Sequence, residues 1–270
     1  MTRRKPTLRA SIEELGSFGA RRHEDRLATE EPLEVRLAWP GAAVRRVWVT
    51  MRTPGHDFEL AAGWVRHEGI ASEVGRIAYC TDADLSADEQ FNVVTVTLSG
   101  VPLRDPGHRH DATSAGSSAC GVCGKDSIAD ALVAPLAPAW TGPLPSPEVV
   151  RSLPELVRAQ QPVFERTGGV HAAGLGTAAG EVLVVREDVG RHNAVDKVTG
   201  SRVLAGLSPA EAVLVVSGRA GFELVQKAVA AGVGCLVSVG APTSLAVDLA
   251  TKAGLGLFGF TSAERTVRYV

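Results

Sequence analysis

The chain has 270 residues, 45% of them hydrophobic, and 28 Lys and Arg against 30 Asp and Glu give a formal net charge of −2. That length suits one large or two modest domains with a real core, and a charge this close to zero argues against nucleic acid as the main partner. Four cysteines are too few for a disulfide scaffold, no run of the ~20 apolar residues needed to cross a membrane is free of charges and glycine breaks, and no apolar run follows the basic start Met1–Pro6, so the expectation is a cytoplasmic protein without a signal peptide.

Residues 1–30 are charged and poor in large apolar side chains, which predicts a mobile N-terminal arm. Residues 31–105 read as a small mixed α+β domain. Val35, Leu37 and Trp39 alternate with polar neighbours, and Val44, Val47 and Val49 follow Pro40-Gly41, a hairpin signal. Thr53-Pro54-Gly55-His56-Asp57 opens a helix with Asp57 as its cap, Phe58, Leu60, Ala61, Trp64 and Val65 keep helical spacing, and Gly69 ends the run. Ile77–Tyr79 and Phe91–Leu98 read as strands. His56 and His67 are expected to be solvated or capping.

Residues 106–146 hold a flexible Cys-x-x-Cys loop, a short helix and a proline-rich linker. No periodicity runs from Ser99 to Ser118, and unstructured loops longer than ~12–15 residues are usually functional or disordered. Glycines flank both Cys120 and Cys123, which leaves the thiols little cover. Ile128, Ala131 and Leu132 predict a short helix capped by Asp126 or Ser127. Cys123 then lies just before a helix N-terminus with Lys125 nearby, a setting that favours a thiolate.

Residues 147–270 alternate between strand and helix. Glu148–Gln160 reads as a helix that Pro154 interrupts. Val170–Leu175 and Val182–Val185 form a hairpin around Gly176–Gly180. There follow a helix near His192–Val198, a strand Ala212–Val216, a helix Phe222–Ala231, a strand Cys235–Val239, a helix Leu245–Lys252 and a strand Gly256–Phe260. Strand-helix-strand repeats imply a parallel sheet with right-handed crossovers, and the hairpin makes it mixed. The fold class is α/β, a helix-sheet-helix sandwich with a mixed sheet and a smaller N-terminal α+β domain.

In such a sheet the loops leaving the C-terminal strand ends share one edge, where ligands bind. Four stretches reach it: Arg186–Asn193, Ser217–Gly221, Gly240–Ser244 and the tail from Thr261. Small residues let a ligand approach the backbone, helix N-termini favour phosphate, and Arg191 and Arg219 can each fork onto phosphate oxygens. The edge is therefore expected to bind a phosphorylated, nucleotide-like ligand. No Gly-x-x-x-x-Gly-Lys-Ser/Thr motif is present, and Gly174–Gly180 misses the dinucleotide pattern by one residue and sits in a hairpin turn.

The cysteine pair admits more than one chemistry. Structural zinc needs four ligands, and His108 and His110 could complete a two-His, two-Cys set, though their spacing is atypical. The zinc deaminase signature is absent, since no His-x-Glu occurs and Ala119 precedes Cys120. Cys80 and Cys235 stand alone in predicted strands and read as core residues. Thiolate nucleophile chemistry is the other reading.

Taken together, Ser118–Lys125, Arg186–Lys197, Ser217-Gly218-Arg219 and Gly240–Ser244 resemble the FdhD family, the formate dehydrogenase accessory sulfurtransferases. Thr53-Pro54, Glu59–Gly63 and Glu68-Gly69 resemble it as well, so that the likeness covers residues 30–265. The resemblance implies a cytidine-deaminase-like core without that fold's zinc, a homodimer, and no resident metal. It implies a sulfurtransferase that accepts persulfide sulfur from a cysteine desulfurase on Cys120, with Cys123 assisting or resolving. The acceptor implied is Mo-bis(molybdopterin guanine dinucleotide), held before it enters the formate dehydrogenase apoenzyme, with guanine nucleotide as a surrogate. Cofactor contacts implied are Arg191, His192, Ser217, Gly218, Arg219, Gly240, Ala241, Pro242, Thr243, Phe260, Thr261, Ser262, Ala263, Glu264 and Arg265. Many members carry a basic residue where this chain has Ser262. A non-catalytic chaperone for the same cofactor is the alternative.

Overall fold

The computed structural model describes residues 5–17, 19–81, 85–86, 89–104 and 138–270. Cys120, Cys123, His108, His110 and the short helix expected after Lys125 lie outside the described residues. Twelve strands and six α-helices are described, arranged in three sheets.

The first thirty residues depart from the expected arm. β1 (Thr7–Gly16) and β2 (Gly19–Ala28) form an antiparallel hairpin with ten paired positions. Leu8, Ala10 and Ile12 of β1 alternate with Arg9, Ser11 and Glu13, a strand period that the scarcity of large apolar side chains hides in the sequence, whereas β2 is polar on both faces. Leu8, Leu15 and Leu27 are exposed on the hairpin.

β3 (Glu31–Ala38), β4 (Arg45–Arg52), β5 (Ile77–Tyr79) and β6 (Val93–Thr97) form a sheet in the order β4-β3-β6-β5. Leu33, Val35 and Leu37 alternate inward from β3, as period two requires, and pack with Leu60, Trp64 and Val65 of α1 (Asp57–His67). Asp57 is not the cap of α1. His56 occupies that place with φ 57° and no side-chain cap, while both Asp57 oxygens bind Arg52, at 3.0 and 3.1 Å. Satisfying that buried guanidinium outweighs capping at this position. Gly69 closes the helix at φ 69°, where glycine is favoured.

The larger sheet has the order β12-β11-β10-β9-β7-β8. β9 (Val213–Val216), β10 (Cys235–Ser238) and β11 (Gly256–Gly259) are parallel. β7 (His171–Gly176) runs against β9 and β8 (Val182–Asp188), and β12 (Val267–Arg268) runs against β11. One face packs on α4 (Arg191–Leu204), α5 (Phe222–Ala231) and α6 (Ser244–Ala253) through Ala194, Leu214, Leu224, Leu236 and Leu257. The other packs on α2 (Pro147–Arg158) through Val150, Leu153 and Val157, which meet Val213, Val215 and Val237. α2 passes through Pro154 unbroken, because its three- and four-residue apolar spacing anchors both sides of that residue. α3 (Pro162–Thr167) and β12 are further elements that the sequence did not suggest.

α1 lies between the small sheet and α4, so the two halves share a helix-helix contact. A Cβ on Gly63 would fall 1.8 Å from the Asp196 carbonyl oxygen, and one on Gly200 would fall 1.8 Å from that of Glu59. The reciprocal glycines let the two backbones touch.

Candidate functional site at the C-terminal sheet edge

The site begins with Arg186-Glu187-Asp188 at the end of β8, whose side chains reach three different elements. Arg186 grips Glu59 of α1 with two bonds of 2.5 and 2.8 Å. Glu187 accepts the backbone N–H groups of Val163 and Phe164 at 2.9 and 2.7 Å, a charge-assisted cap on the first turn of α3. Asp188 is fully buried, 2.7 Å from Lys197 Nζ. It also accepts N–H groups from Gly190, Asn193 and Thr53 at 2.8, 3.1 and 3.2 Å. Burial pushes its carboxyl pKa up, opposed by Lys197 and those donors. In the second turn of α4, Asp196 accepts from His67 Nδ1 and Lys227 Nζ, each at 2.6 Å. His67 is therefore buried rather than solvated. Burial favours its neutral form against the pull of Asp196.

Most of Arg186–Lys197 is thus framework that aims the start of α4. Arg191 and His192 remain at the edge. His192 Nε2 is 2.8 Å from Glu223. Arg191 Cδ would lie 3.8 Å from a Cβ on Gly218, and the same Cβ would lie 3.5 Å from the His171 ring. Gly218 therefore brings Arg191 and His171 to one spot.

The next loops are stitched by backbone. Gly240 N–H donates to Gly218 O at 3.0 Å, Ala220 N–H to Ala241 O at 3.2 Å, Thr243 N–H to Ala220 O at 3.1 Å and Phe260 N–H to Gly240 O at 3.1 Å. Thr243 also caps α6 through its hydroxyl. Arg219 packs its stem against Gly240. Phe260 takes a φ of 51° beneath the Arg265 guanidinium, 5.3 Å from its ring centre. Beyond it, Ser262 Oγ donates to Glu264 at 2.7 Å, and this bond holds the Glu264 carboxyl below its ordinary pKa.

A cleft of about 670 Å³ opens beside these loops, a size typical of small-ligand sites. Pro154, Val157, Phe164, Val170, Val189 and Val239 give it apolar walls. Glu155, Arg158, Gln161, His171, Ser217 and the tail Thr261–Glu264 supply polar groups. Of the residues nominated from sequence, Ser217, Thr261, Ser262, Ala263 and Glu264 line the cleft. Arg191, His192, Gly218, Arg219, Gly240, Ala241, Pro242, Thr243, Phe260 and Arg265 belong to the surrounding loops and are not in its walls.

His171 was missed. It opens an antiparallel strand, so its N-terminal end shares the edge with the C-terminal ends of β8 to β11, and the hairpin reading contained that signal. Ser217 Oγ accepts the Ala172 N–H at 2.9 Å, leaving its own proton free for His171 Nδ1 at 3.4 Å. Among the described residues the His171 ring has no other hydrogen-bond partner. Burial lowers its pKa, and Arg191 and His192 lower it further against the pull of Asp188. A neutral ring that accepts at Nδ1 carries its proton on Nε2.

Cys80 and Cys235 stand apart from the cleft. Cys80 is half-buried, just past β5. Cys235 is buried, its thiol pushed up to about 12 by burial. Among the described residues no group of three or more His, Cys, Asp and Glu side chains could hold a metal ion, and no helix is long and apolar enough to cross a membrane.

An α/β protein with a cleft of small-ligand size at the carboxyl edge of a mixed sheet is the class these observations define. The chain belongs to the FdhD/NarQ family, whose model matches residues 28–270. It is 49% identical over 246 residues to a protein of Streptomyces avermitilis named sulfur carrier protein FdhD, covering 87% of this chain and 84% of that one. A protein of the same name from Nocardia farcinica is 46% identical over 264 residues, covering 96% and 91%. The fold is similar to the crystal structure of a formate dehydrogenase accessory protein from Desulfotalea psychrophila, with a TM-score of 0.75 at 22% identity over 98% of this chain and 97% of that one.

Proposed function

We propose that this protein is a sulfur carrier for formate dehydrogenase, passing sulfur from a cysteine desulfurase to Mo-bis(molybdopterin guanine dinucleotide). Cys120 and Cys123 supply the chemistry. The Cys120 thiolate attacks the terminal sulfur of the donor's persulfide, the donor leaves as a thiolate, and Cys120 carries –S–SH. Attack by the Cys123 thiolate on the inner sulfur then releases HS⁻ and leaves a Cys120–Cys123 disulfide, so electrons balance without another reductant in that turnover.

The cleft carries the cargo half of this reading. Its apolar walls suit a flat heteroaromatic ring. His171 Nε2–H and the Ser262-Glu264 turn are fixed polar groups, Arg158 is the cation within its walls, and Arg191, outside the walls beside Gly218, is a second cation for phosphate. A cytoplasmic setting and a core of cytidine-deaminase-like descent belong to the same reading. The observation that carries it is this nucleotide-sized cleft in a chain that also bears a glycine-flanked Cys-x-x-Cys.

The test is mass spectrometry after incubation with a cysteine desulfurase and cysteine. The expected result is an adduct of about 32 Da, one sulfur atom, on the Cys120 peptide that dithiothreitol removes. No adduct on either cysteine, with Cys120→Ala still supporting formate dehydrogenase activity, would leave a non-catalytic cofactor chaperone instead.

A further inference from the structure

We infer that Gln161 reads the ring of the cargo: its side-chain amide, in the wall of the cleft, pairs with the lactam N–H and C=O of a 2-amino-4-oxopyrimidine edge, the edge that guanine and pterin share. The inference rests on the proposed function, which supplies the cargo, and adds the residue that recognises it.

Gln161 is only 4% exposed and lines the cleft. Among the described residues its amide has no hydrogen-bond partner, although buried amides are ordinarily paired. Its neighbour shows the ordinary outcome, since Gln160 Nε2 donates to Leu156 O at 3.5 Å. Gln161 is not spent as a cap either. It makes no side-chain bond to α3, whose Val163 and Phe164 N–H groups go to Glu187. Nor is the amide sealed in the interior. The little of Gln161 that meets solvent does so in the cleft. Its backbone is held on both sides: Pro162 follows and restricts it, and its carbonyl accepts the Glu165 N–H at 2.9 Å. An open amide on a fixed backbone is placed in advance for a ligand.

A primary amide sets a donor beside an acceptor. A lactam presents the same pair reversed, so the two close a bidentate pair of hydrogen bonds. The amino group and ring nitrogen of adenine can close one too, and the rest of the walls decides between them. Glu155 and Glu264 bring carboxylates to the cleft. Glu264 is bonded at one oxygen by Ser262 Oγ, and its other oxygen is available among the described residues. Carboxylates only accept. The amino group next to the lactam N–H of guanine and pterin gives them a donor, and adenine has none at that place. Glu155, Arg158, Gln161 and Phe164 follow at intervals of three and all line the cleft. Phe164 supplies an aromatic surface beside the amide, with the Arg158 guanidinium 4.2 Å from its ring centre.

The test is calorimetry on the full chain with GDP, ADP, 2-aminopurine riboside diphosphate and pterin-6-carboxylate. The 2-aminopurine nucleotide keeps the amino group and lacks the lactam pair. The parent is expected to bind GDP about tenfold or more tighter than ADP or the 2-aminopurine nucleotide. Gln161→Leu should weaken GDP about 30-fold, as two lost hydrogen bonds require, and leave the 2-aminopurine nucleotide nearly unchanged. It should melt at the parental temperature, because no bond within the protein is lost. Gln161→Glu keeps the size and the acceptor but loses the donor, and should weaken GDP about tenfold without touching the 2-aminopurine nucleotide. A loss seen with pterin-6-carboxylate and not with GDP supports the same pairing and assigns the cleft to the pterin. ADP bound as tightly as GDP, a 2-aminopurine nucleotide weakened as much as GDP, or variants that bind both rings like the parent would each overturn the inference while leaving the proposed function standing. A parent that binds neither ring removes the cargo half of that function and this inference with it, and the sulfur adduct on Cys120 then decides the carrier half alone.

Discussion

Glu59 holds Arg186 from the half-buried first turn of α1, and His56 adds a third contact at 3.2 Å. Burial raises the Glu59 pKa, but the bonds from Arg186 and His56 outweigh it and take the carboxyl from 4.5 to about 2. The folded protein therefore prefers the carboxylate. That stabilisation is whole above pH 4.5 and is lost as pH falls towards 2. Allowing for partial solvent screening, it amounts to about 2 kcal/mol. Urea midpoints measured against pH should show Glu59→Gln less stable than the parent at pH 7, with the gap narrowing as the parent is acidified. A constant gap would mean the contact acts by shape alone. His171 makes the opposite kind of statement. Its ring is neutral in the fold, so a bound phosphate that favours imidazolium draws in a proton. GDP affinity should rise as pH falls from about 8 to 6, and His171→Gln should flatten that slope in calorimetry. Guanine nucleotide that binds with the parental slope in His171→Gln would place its phosphates elsewhere.

At the level of elements, the α1–α4 crossing rests on Gly63 and Gly200, each of which meets backbone rather than a side chain that could swing aside. Gly63→Ala or Gly200→Ala should each cost about 3 kcal/mol, the upper end of overpacking effects. The double variant should cost less than the sum, because one separation relieves both. Neither role was visible in the sequence, where both are single glycines within helical runs. The strand-helix alternation of 170–260 was legible because each element buries a face with its own period. β1 and β2 were missed, because β2 is polar on both sides and the short alternation Leu8, Ala10, Ile12 of β1 stands in a highly charged stretch. Asp57 looked like a cap because it precedes an apolar run, and only the fold shows Arg52 waiting for it. The cleft was half legible. Loop position nominated Ser217 and Thr261–Glu264, whereas Phe164 and His171 come from a one-and-a-half-turn helix and a strand start, where no local pattern announces a ligand.

The whole molecule is joined where Lys197, 1% exposed on its side chain, donates to Thr53 O of the smaller half at 2.9 Å while it pairs with Asp188 of the larger. Together with Arg186–Glu59, His67–Asp196 and the glycine crossing, this fastens the two sheets through α1 and α4. Such coupling calls for one cooperative transition rather than two. Three of the four tryptophans, Trp39, Trp48 and Trp64, lie in the smaller half, with Trp48 and Trp64 stacked at 5.0 Å. Their emission therefore reports mainly on that half, while far-ultraviolet dichroism reports on both. The two signals should melt together. Lys197→Met strands a buried carboxylate and should lower stability by about 3–5 kcal/mol. Adding Asp188→Asn removes the stranded charge and should recover part of that loss. Both probes should shift together in both variants, and tryptophan emission that melts ahead of dichroism in the parent would show that the halves are not fastened as these contacts require.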